Sequence, residues 1–174
     1  MELVLETDRY AVEMVRFDTS VAAALIEELQ DEYIVRYGGR DETPTDPEQF
    51  SPPSGAFLVV RVGDEPAACA GLRRHDDIQV EVKRMFVRFS FRGRGLSRWL
   101  LRQVEQQAGD MGYRRILMET GTEQPEAMGL YESSGYRPIP GFGFYADAPE
   151  NRCYAKDLAD PTTGDRDEGS DRPQ

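Results

Sequence analysis

The chain is poor in the residues that most often carry metal or thiol chemistry. It has 174 residues but only two cysteines and one histidine. Cys69 and Cys153 lie in apolar, strand-like runs without the close spacing of metal ligands, so we expect buried free thiols in a reducing cytoplasm. His75 stands between Arg74 and two aspartates, which is typical of a solvated turn residue. We therefore expect no metal site and no catalytic histidine.

The chain also lacks an excess of positive charge and any long apolar run. Its 21 lysines and arginines are outnumbered by 32 aspartates and glutamates, which gives a formal net charge of −11. Nucleic acid is not expected as a partner, because binding its phosphates requires a basic surface. No apolar run approaches the roughly 20 residues of a membrane-spanning helix, and the acidic N-terminus does not resemble a secretion signal. These features predict a cytoplasmic protein without a membrane partner.

Length and composition indicate one ordinary domain followed by a tail. A chain of 174 residues can bury a core without a disulfide or a metal. We expect the domain to span residues 1–158. The segment 159–174 has no apolar residue after Ala159 and should be a disordered acidic tail. The sequence is compatible with a homodimer but does not fix the oligomeric state.

What the chain does contain is a strand–turn–helix unit between Val80 and Met111. Apolar residues alternate at its start, at Val80 and Val82, as they do in a strand. After a glycine-bearing turn at residues 92–95, apolar residues recur every four positions from Leu96 to Ala108. The change from a two-residue to a 3.6-residue period predicts a strand followed directly by a helix.

The turn before this helix predicts an anion site. The first amides of a helix have no carbonyl partner, and the helix dipole adds partial positive charge there. Gly93 and Gly95 would let a phosphate approach these amides closely, and Arg92 and Arg94 would add cationic donors. The dinucleotide motif G-x-G-x-x-G fits poorly, because Arg98 occupies its last glycine position. An ordinary tight turn with solvated arginines is the alternative interpretation.

The remaining elements follow the same two periodicities. Strands are predicted at 10–17, 56–62, 67–73, 115–120 and 152–156, and helices between 20 and 38 and between 125 and 135. The proline-rich segment 39–55 is predicted to be a loop whose role stays open, and 136–145 is predicted to be irregular. Tyr33 and Tyr37 are expected to pack in the core.

Two motifs stand in a fixed order along the chain. Residues 92–97 fit [QR]-x-x-G-x-[GA], except that Ser97 replaces Gly or Ala. Residues 124–136 fit Asn-x-x-Ala-x-x-Leu-Tyr-x-x-x-Gly-[FY], except that Gln124 replaces Asn. Together they resemble the GCN5-related N-acetyltransferase (GNAT) family, and the resemblance covers about residues 3–158. It implies an α/β protein with the GNAT fold, in which helices flank a central mixed β-sheet.

The C-terminal part of the chain narrows this resemblance. The sequence from Glu119 to Lys156 looks like a bacterial branch of small-molecule acetyltransferases, some of which are named indole-acetic-acid acetyltransferases. Members of that branch usually have Ser where this chain has Asn151, so their acceptor is not carried over. In related folds the region of Tyr33 and Tyr37 borders the acceptor, which is an alternative to core packing.

The resemblance implies an enzyme that uses acetyl-coenzyme A as acyl donor and needs no metal. Its acceptor would be a primary amine of a small molecule, which attacks the thioester directly without an acyl-enzyme. A peptide or protein acceptor stays open. The alternative function is a module that binds acetyl-coenzyme A without turnover and serves as a sensor or partner subunit.

The resemblance also assigns the residues that would hold the donor. The backbone of Phe86 and Val87 would pair with the amides of the pantetheine arm, and Gln124 would hydrogen-bond the cofactor. The pyrophosphate would be held by the loop residues Arg92, Gly93, Arg94, Gly95, Leu96 and Ser97.

Two residues are expected to move protons. Tyr131 would protonate the departing thiolate, with a core aromatic as the alternative interpretation. Glu81 is the predicted general base, although it could instead pair with Lys83 or Arg84. Glu119, at the end of a predicted strand, is the reserve candidate.

Overall fold

The computed structural model describes residues 10–160 and confirms the predicted fold class. Residues 1–9, and the predicted tail from residue 161 onward, lie outside the described residues. The strands are β1 Tyr10–Val15, β2 Ala56–Val62, β3 Glu65–Arg74, β4 Gln79–Val87, β5 Arg115–Gly121, β6 Arg137–Ile139 and β7 Asn151–Asp157. The α-helices are α1 Ser20–Tyr37, α2 Leu96–Asp110 and α3 Pro125–Ser133.

One mixed sheet of seven strands, in the order β1-β2-β3-β4-β5-β7-β6, organises the described residues. β1 to β4 form an antiparallel meander, β4 and β5 are parallel, and β7 lies antiparallel between β5 and β6. Along β2, Phe57 and Val59 pack on the α1 side and Leu58 and Val60 on the α2 side. Both faces of the central strands are therefore covered. In residues 10–160, no helix is long and apolar enough to cross a membrane.

Helix α1 begins and ends where its capping residues predict. The Thr19 hydroxyl accepts a hydrogen bond from the Ala22 amide. At the other end, Gly38 has a φ of 78° and its amide donates to the Ile34 carbonyl. These caps fix the C-terminal end of α1 over the sheet.

Besides the 3₁₀ turn Phe89–Phe91 before α2, two short elements were not predicted. Pro47–Phe50 form a 3₁₀ turn inside the predicted loop, with the Asp46 side chain accepting from the Glu48 amide and Phe50 buried beside Phe57. Strand β6 lies in a segment predicted to be irregular, and it exists through its pairing with β7. Both elements depend on contacts with distant residues, which local periodicity does not record. The other boundaries differ from prediction by at most two residues.

Strands β4 and β5 separate halfway along their length. They pair only between Gln79–Val82 and Arg115–Met118. β4 then continues beside β3, and β5 beside β7. Within the described residues, the backbone of 83–87 consequently has no strand neighbour on its β5 side, and a wedge-shaped gap opens there.

Candidate active site

A cavity of about 620 Å³ lies where β4 and β5 separate. Its walls come from the end of α1, the segment 39–42, the diverging ends of β4 and β5, helix α3 and the segment 145–151. These segments are distant in sequence and meet only in the folded chain. A volume of this size suits a small organic ligand.

The loop that leads into α2 presents unpartnered amides. Gly95, the N-cap of α2, has a φ of 77° and Gly93 a φ of 75°, conformations that favour glycine. Within residues 10–160, none of the amides from Gly93 to Arg98 donates a hydrogen bond to the backbone. The Leu96 side chain is buried, and the Leu96 and Ser97 amides are among those without a backbone partner. The loop therefore has the geometry of a phosphate site.

The two arginine side chains of this loop have different positions. Arg92 donates from Nε to the Val87 carbonyl at 2.8 Å and from Nη1 to Glu32 at 2.7 Å. Arg94 is exposed, with its guanidinium 5.9 Å from the centroid of the Phe91 ring. Arg92 thus joins the loop to β4 and α1, whereas Arg94 is open to an anion.

The end of β4 provides a main-chain edge beside the gap. Phe86 and Val87 pair with Cys69 and Ala68 of β3, and their side chains are buried. On the β5 side, no described strand pairs with them. This edge is the one that the predicted contact with a pantetheine arm requires.

Tyr131 on α3 lines the cavity and is otherwise buried, with 6% of its surface exposed. Its ring centroid lies 5.8 Å from those of both Tyr136 and Tyr154. Burial raises the pKa of the Tyr131 hydroxyl well above its ordinary value, so this hydroxyl is protonated at neutral pH. Tyr131 therefore combines a core ring with a position at the cavity wall.

Gln124 connects α3 to α1 across the cavity. Its Oε1 accepts hydrogen bonds from the Tyr37 hydroxyl at 3.2 Å and from the Thr120 hydroxyl at 3.3 Å. Tyr33 and Tyr37 both line the cavity, and their ring centroids are 6.1 Å apart. The two tyrosines thus contribute to packing and to the cavity wall together.

Glu81 does not line this cavity. Its carboxylate accepts from Arg73 Nε at 3.0 Å and lies 3.7 Å from Lys83 Nζ, and 6% of the residue is exposed. The ion pair that the sequence offered as the alternative to a catalytic role is therefore present. In this position Glu81 pairs with Arg73 and Lys83.

Glu119, at the end of β5, does line the cavity. Its Oε1 accepts from Lys83 Nζ at 3.4 Å and its Oε2 from Asn151 Nδ2 at 3.5 Å. Burial raises the pKa of the Glu119 carboxyl above its ordinary value, although Lys83 acts in the opposite direction. A carboxylate with a raised pKa at a cavity wall suits a general base, so the geometry favours Glu119 over Glu81.

Among the charged residues that line the cavity, Asp41, Lys83 and Arg84 were not predicted to be site residues. Arg84 Nη1 donates to Asp41 Oδ2 at 2.7 Å. Burial acts to raise the pKa of Asp41, but Lys83, Arg84 and hydrogen bonds from Thr43 together outweigh it and hold this pKa below its ordinary value. The sequence signal for these cavity residues was the basic pair Lys83 and Arg84 inside a strand that is otherwise largely apolar.

The other candidate residues lie outside the cavity. His75 is exposed, and its ring contacts Phe142. Cys69 and Cys153 are buried free thiols, as predicted. Among residues 10–160, no group of three or more His, Cys, Asp and Glu side chains is arranged to hold a metal ion.

Known proteins share this sequence pattern. The model of the Acetyltransferase (GNAT) family matches residues 22–136. The chain is also similar to an IAA acetyltransferase of Azospirillum brasilense, at 33% identity over 136 residues that cover 77% of this chain and 88% of that protein.

Solved structures share the fold. A chain from Klebsiella pneumoniae subsp. pneumoniae aligns with a TM-score of 0.73 at 24% identity, over 86% of this chain and 98% of that one. A GNAT family acetyltransferase from Elizabethkingia anophelis with acetyl-CoA bound aligns with a TM-score of 0.63 at 19% identity, over 87% of this chain and 99% of that one. At these identities the likeness concerns the fold alone.

Proposed function

Because the chain belongs to the acetyltransferase (GNAT) family and is an acetyl-coenzyme A-dependent N-acetyltransferase, we propose that it acetylates the primary amine of a small molecule by direct attack. The observation that carries this proposal is that Glu119 and Tyr131 line one cavity. Amine acetylation needs a proton acceptor for the attacking nitrogen and a proton donor for the departing thiolate. The two side chains can supply both.

The donor would lie along the gap between β4 and β5. The free main-chain edge of Phe86 and Val87 supports pantetheine binding there. The unpartnered amides from Gly93 to Ser97, together with Arg94, support binding of the pyrophosphate. When bound, acetyl-coenzyme A supplies the activated acetyl group.

The two proton transfers fall to residues of the chain. Glu119 accepts a proton from the amine nitrogen as the nitrogen–carbon bond forms at the thioester carbonyl. Tyr131 donates its hydroxyl proton to the sulfur as the carbon–sulfur bond breaks. The products are an acetamide and a free thiol, and exchange with solvent restores both side chains. Glu81 is the alternative base, and its contacts with Arg73 and Lys83 make it the weaker choice.

The form of the cavity supports a small acceptor over a protein chain. The Glu42 amide donates to the Tyr145 hydroxyl at 2.8 Å, which bridges the segments on either side of the cavity. A bridge at this position would hinder a folded substrate.

The test of this mechanism is Tyr131→Phe, which keeps the ring and removes the proton donor. We expect near-parental affinity for acetyl-coenzyme A and a turnover reduced roughly 10²- to 10⁴-fold, the usual contribution of a general acid. The loss should shrink for acyl donors whose thiol leaves more easily. Thiol release with a panel of amines measures turnover, and calorimetry measures affinity.

Tyr136→Phe is the matched control. Tyr136 is buried against the same ring, and its hydroxyl donates to Glu105 outside the cavity lining. It should lose stability but keep turnover. Near-parental turnover of Tyr131→Phe would mean that the acid is assigned wrongly. Absence of turnover by the parent with every amine, despite binding of acetyl-coenzyme A, would favour the alternative of a binding module.

A further inference from the structure

Lys83 and Arg84 are consecutive residues of β4, yet both line the cavity. Successive side chains of a regular strand point to opposite faces of the sheet. Here the register between β3 and β4 shifts, and Arg84 has a φ of 58°, a left-handed conformation that is uncommon for a residue with a side chain. The strained backbone thus brings a second cation to the cavity. Such strain concentrates at functional sites.

The charges of these two cations are compensated differently. Lys83 Nζ lies 3.4 Å from Glu119 and 3.7 Å from Glu81. Within the described residues, Arg84 donates from Nη1 to Asp41 alone, and its Nε is buried without a hydrogen-bond partner. Only 4% of the Arg84 side chain is exposed. One edge of a nearly buried guanidinium is therefore unpaired.

An unpaired buried donor destabilises a folded chain, and almost all such groups in proteins have a partner. A ligand oxygen would provide one if the Arg84 side chain shifted toward the cavity, because Nε itself is shielded in this structure. The side edge of a guanidinium, Nε with one terminal nitrogen, matches the two oxygens of a carboxylate. Because Asp41 occupies Nη1, this side edge is the part of Arg84 that remains for a ligand.

We propose that the acceptor is an amino acid, with its carboxylate bound by Arg84 and its amine facing Glu119. This inference rests on the proposed function and adds the class of its substrate. Lys83 Nζ lies 3.4 Å from Glu119 and Lys83 precedes Arg84 in β4, and all three residues line the one cavity.

The charge of the cluster supports a zwitterionic ligand. The buried network contains three cations and three carboxylates, which cancel: Arg73, Lys83 and Arg84 against Asp41, Glu81 and Glu119. A neutral zwitterion leaves that balance unchanged, whereas a diamine would bring uncompensated positive charge inside. The exposed carboxylates of Glu42, Glu123 and Glu150 at the cavity would attract a diamine, so polyamines are the competing class.

The first experiment uses the unmodified protein. The common L-amino acids and their carboxamides are compared as acceptors, together with simple diamines. The carboxamide keeps the size of the acceptor and removes its negative charge. We expect kcat/KM for the best amino acid to exceed that of its carboxamide by about 10- to 100-fold, with most of the difference in KM, because the carboxylate is held equally in the ground and transition states.

The second experiment tests whether Arg84 is responsible. In Arg84→Gln the preference for the acid over the carboxamide should fall to near unity. Arg84→Lys keeps the charge beside Asp41 and guards against loss of the fold, and it should retain part of the preference. Arg61→Gln is the matched control, since Arg61 pairs with Glu13 at 2.7 Å on β2 and β1 outside the cavity lining. It should keep the full preference.

The outcomes separate the inference from the function on which it rests. Equal or better turnover of carboxamides or diamines by the parent overturns the amino-acid acceptor and leaves the acetylation of small amines standing. A preference that persists in Arg84→Gln overturns the assignment to Arg84. If acetyl-coenzyme A binds and no amine of any class is acetylated, the proposed function fails and the inference fails with it.

Discussion

The loop before α2 and the cavity between β4 and β5 present different parts of the polypeptide to a ligand. From Gly93 to Ser97 the loop offers main-chain amides, which any sequence with the same backbone would offer. The cavity offers ionised side chains held by one another, such as Glu119 against Lys83 and Arg84 against Asp41. On the proposed function, the first region would recognise its ligand by backbone shape, and the second by side-chain chemistry.

The two sites should differ in how easily substitutions change the ligand that they bind. A main-chain site tolerates changes of side chain as long as the backbone conformation is kept, so it suits a donor that all relatives share. A side-chain site changes its ligand with a few substitutions. On the proposed function, the cavity is accordingly the region that would determine the acceptor of this chain.

The largest expected effect is that of Glu119→Gln, which removes a charge from the side-chain site. If Glu119 is the base, kcat/KM should fall roughly 10²- to 10⁴-fold while affinity for acetyl-coenzyme A stays near the parental value. Steady-state kinetics with calorimetry measures both quantities.

Two other carboxylates sharpen this test. Glu81→Gln should cost less activity, because Glu81 would act only through Lys83. Glu13→Gln, at the ion pair with Arg61, should leave turnover unchanged. A loss in Glu81→Gln equal to or larger than that in Glu119→Gln would reverse the assignment of the base.

The next largest effect is expected at the main-chain site, for Gly95→Val. A Cβ at Gly95 meets nothing within 4 Å, but a φ of 77° is unfavourable for valine, and the side chain would stand beside the amides. We expect the Kd for acetyl-coenzyme A to rise on the order of 100-fold, because several charge-assisted hydrogen bonds are lost. Calorimetry measures the Kd, and thermal unfolding checks the fold.

Gly63 is the matched control for Gly95. It has a φ of 61°, has equally open space and lies in the turn between β2 and β3, so Gly63→Val adds the same backbone strain away from the loop. Arg94→Ala should raise the Kd only a few-fold, because an exposed guanidinium contributes little. A larger effect of Arg94→Ala than of Gly95→Val would show that side chains, not amides, hold the phosphate.

The smallest expected effect is a shift in the pH dependence of Lys83→Met. The positive charge of Lys83 lowers the pKa of Glu119 against the raising effect of burial, so its removal should raise that pKa further. A base is active when deprotonated, above its pKa. The acid limb of kcat/KM should therefore move to higher pH, which a pH–rate profile against the parent measures.

The acceptor amine titrates identically with both enzymes, so the difference belongs to the protein. Lys156→Met serves as the control, because Lys156 pairs with Glu105 at 3.0 Å outside the cavity lining, and its acid limb should match that of the parent. An acid limb that stays in place or moves to lower pH in Lys83→Met would contradict the role of Glu119.

Local sequence was sufficient for most of the strands, the long helices and the glycine-bearing loop before α2. The alternation at Val80 and Val82, the Thr19 and Gly38 caps of α1, and the glycines before α2 act through neighbours within a few residues. The stability of these features depends on local backbone conformation and on the spacing of apolar side chains along the chain. For this reason most boundaries and the loop before α2 could be taken from the sequence, whereas the fold class came from the resemblance of two motifs to the GNAT family.

The acceptor cavity could be determined only by the tertiary structure. Glu81 and Glu119 both end up near Lys83, and the sequence alone could not tell which of them lines the cavity. That choice depends on where β4 and β5 stop pairing, and on the register shift that turns Arg84 inward. Charges of residues far apart in the chain interact strongly only when folding removes the water between them, so local patterns cannot record their pairing.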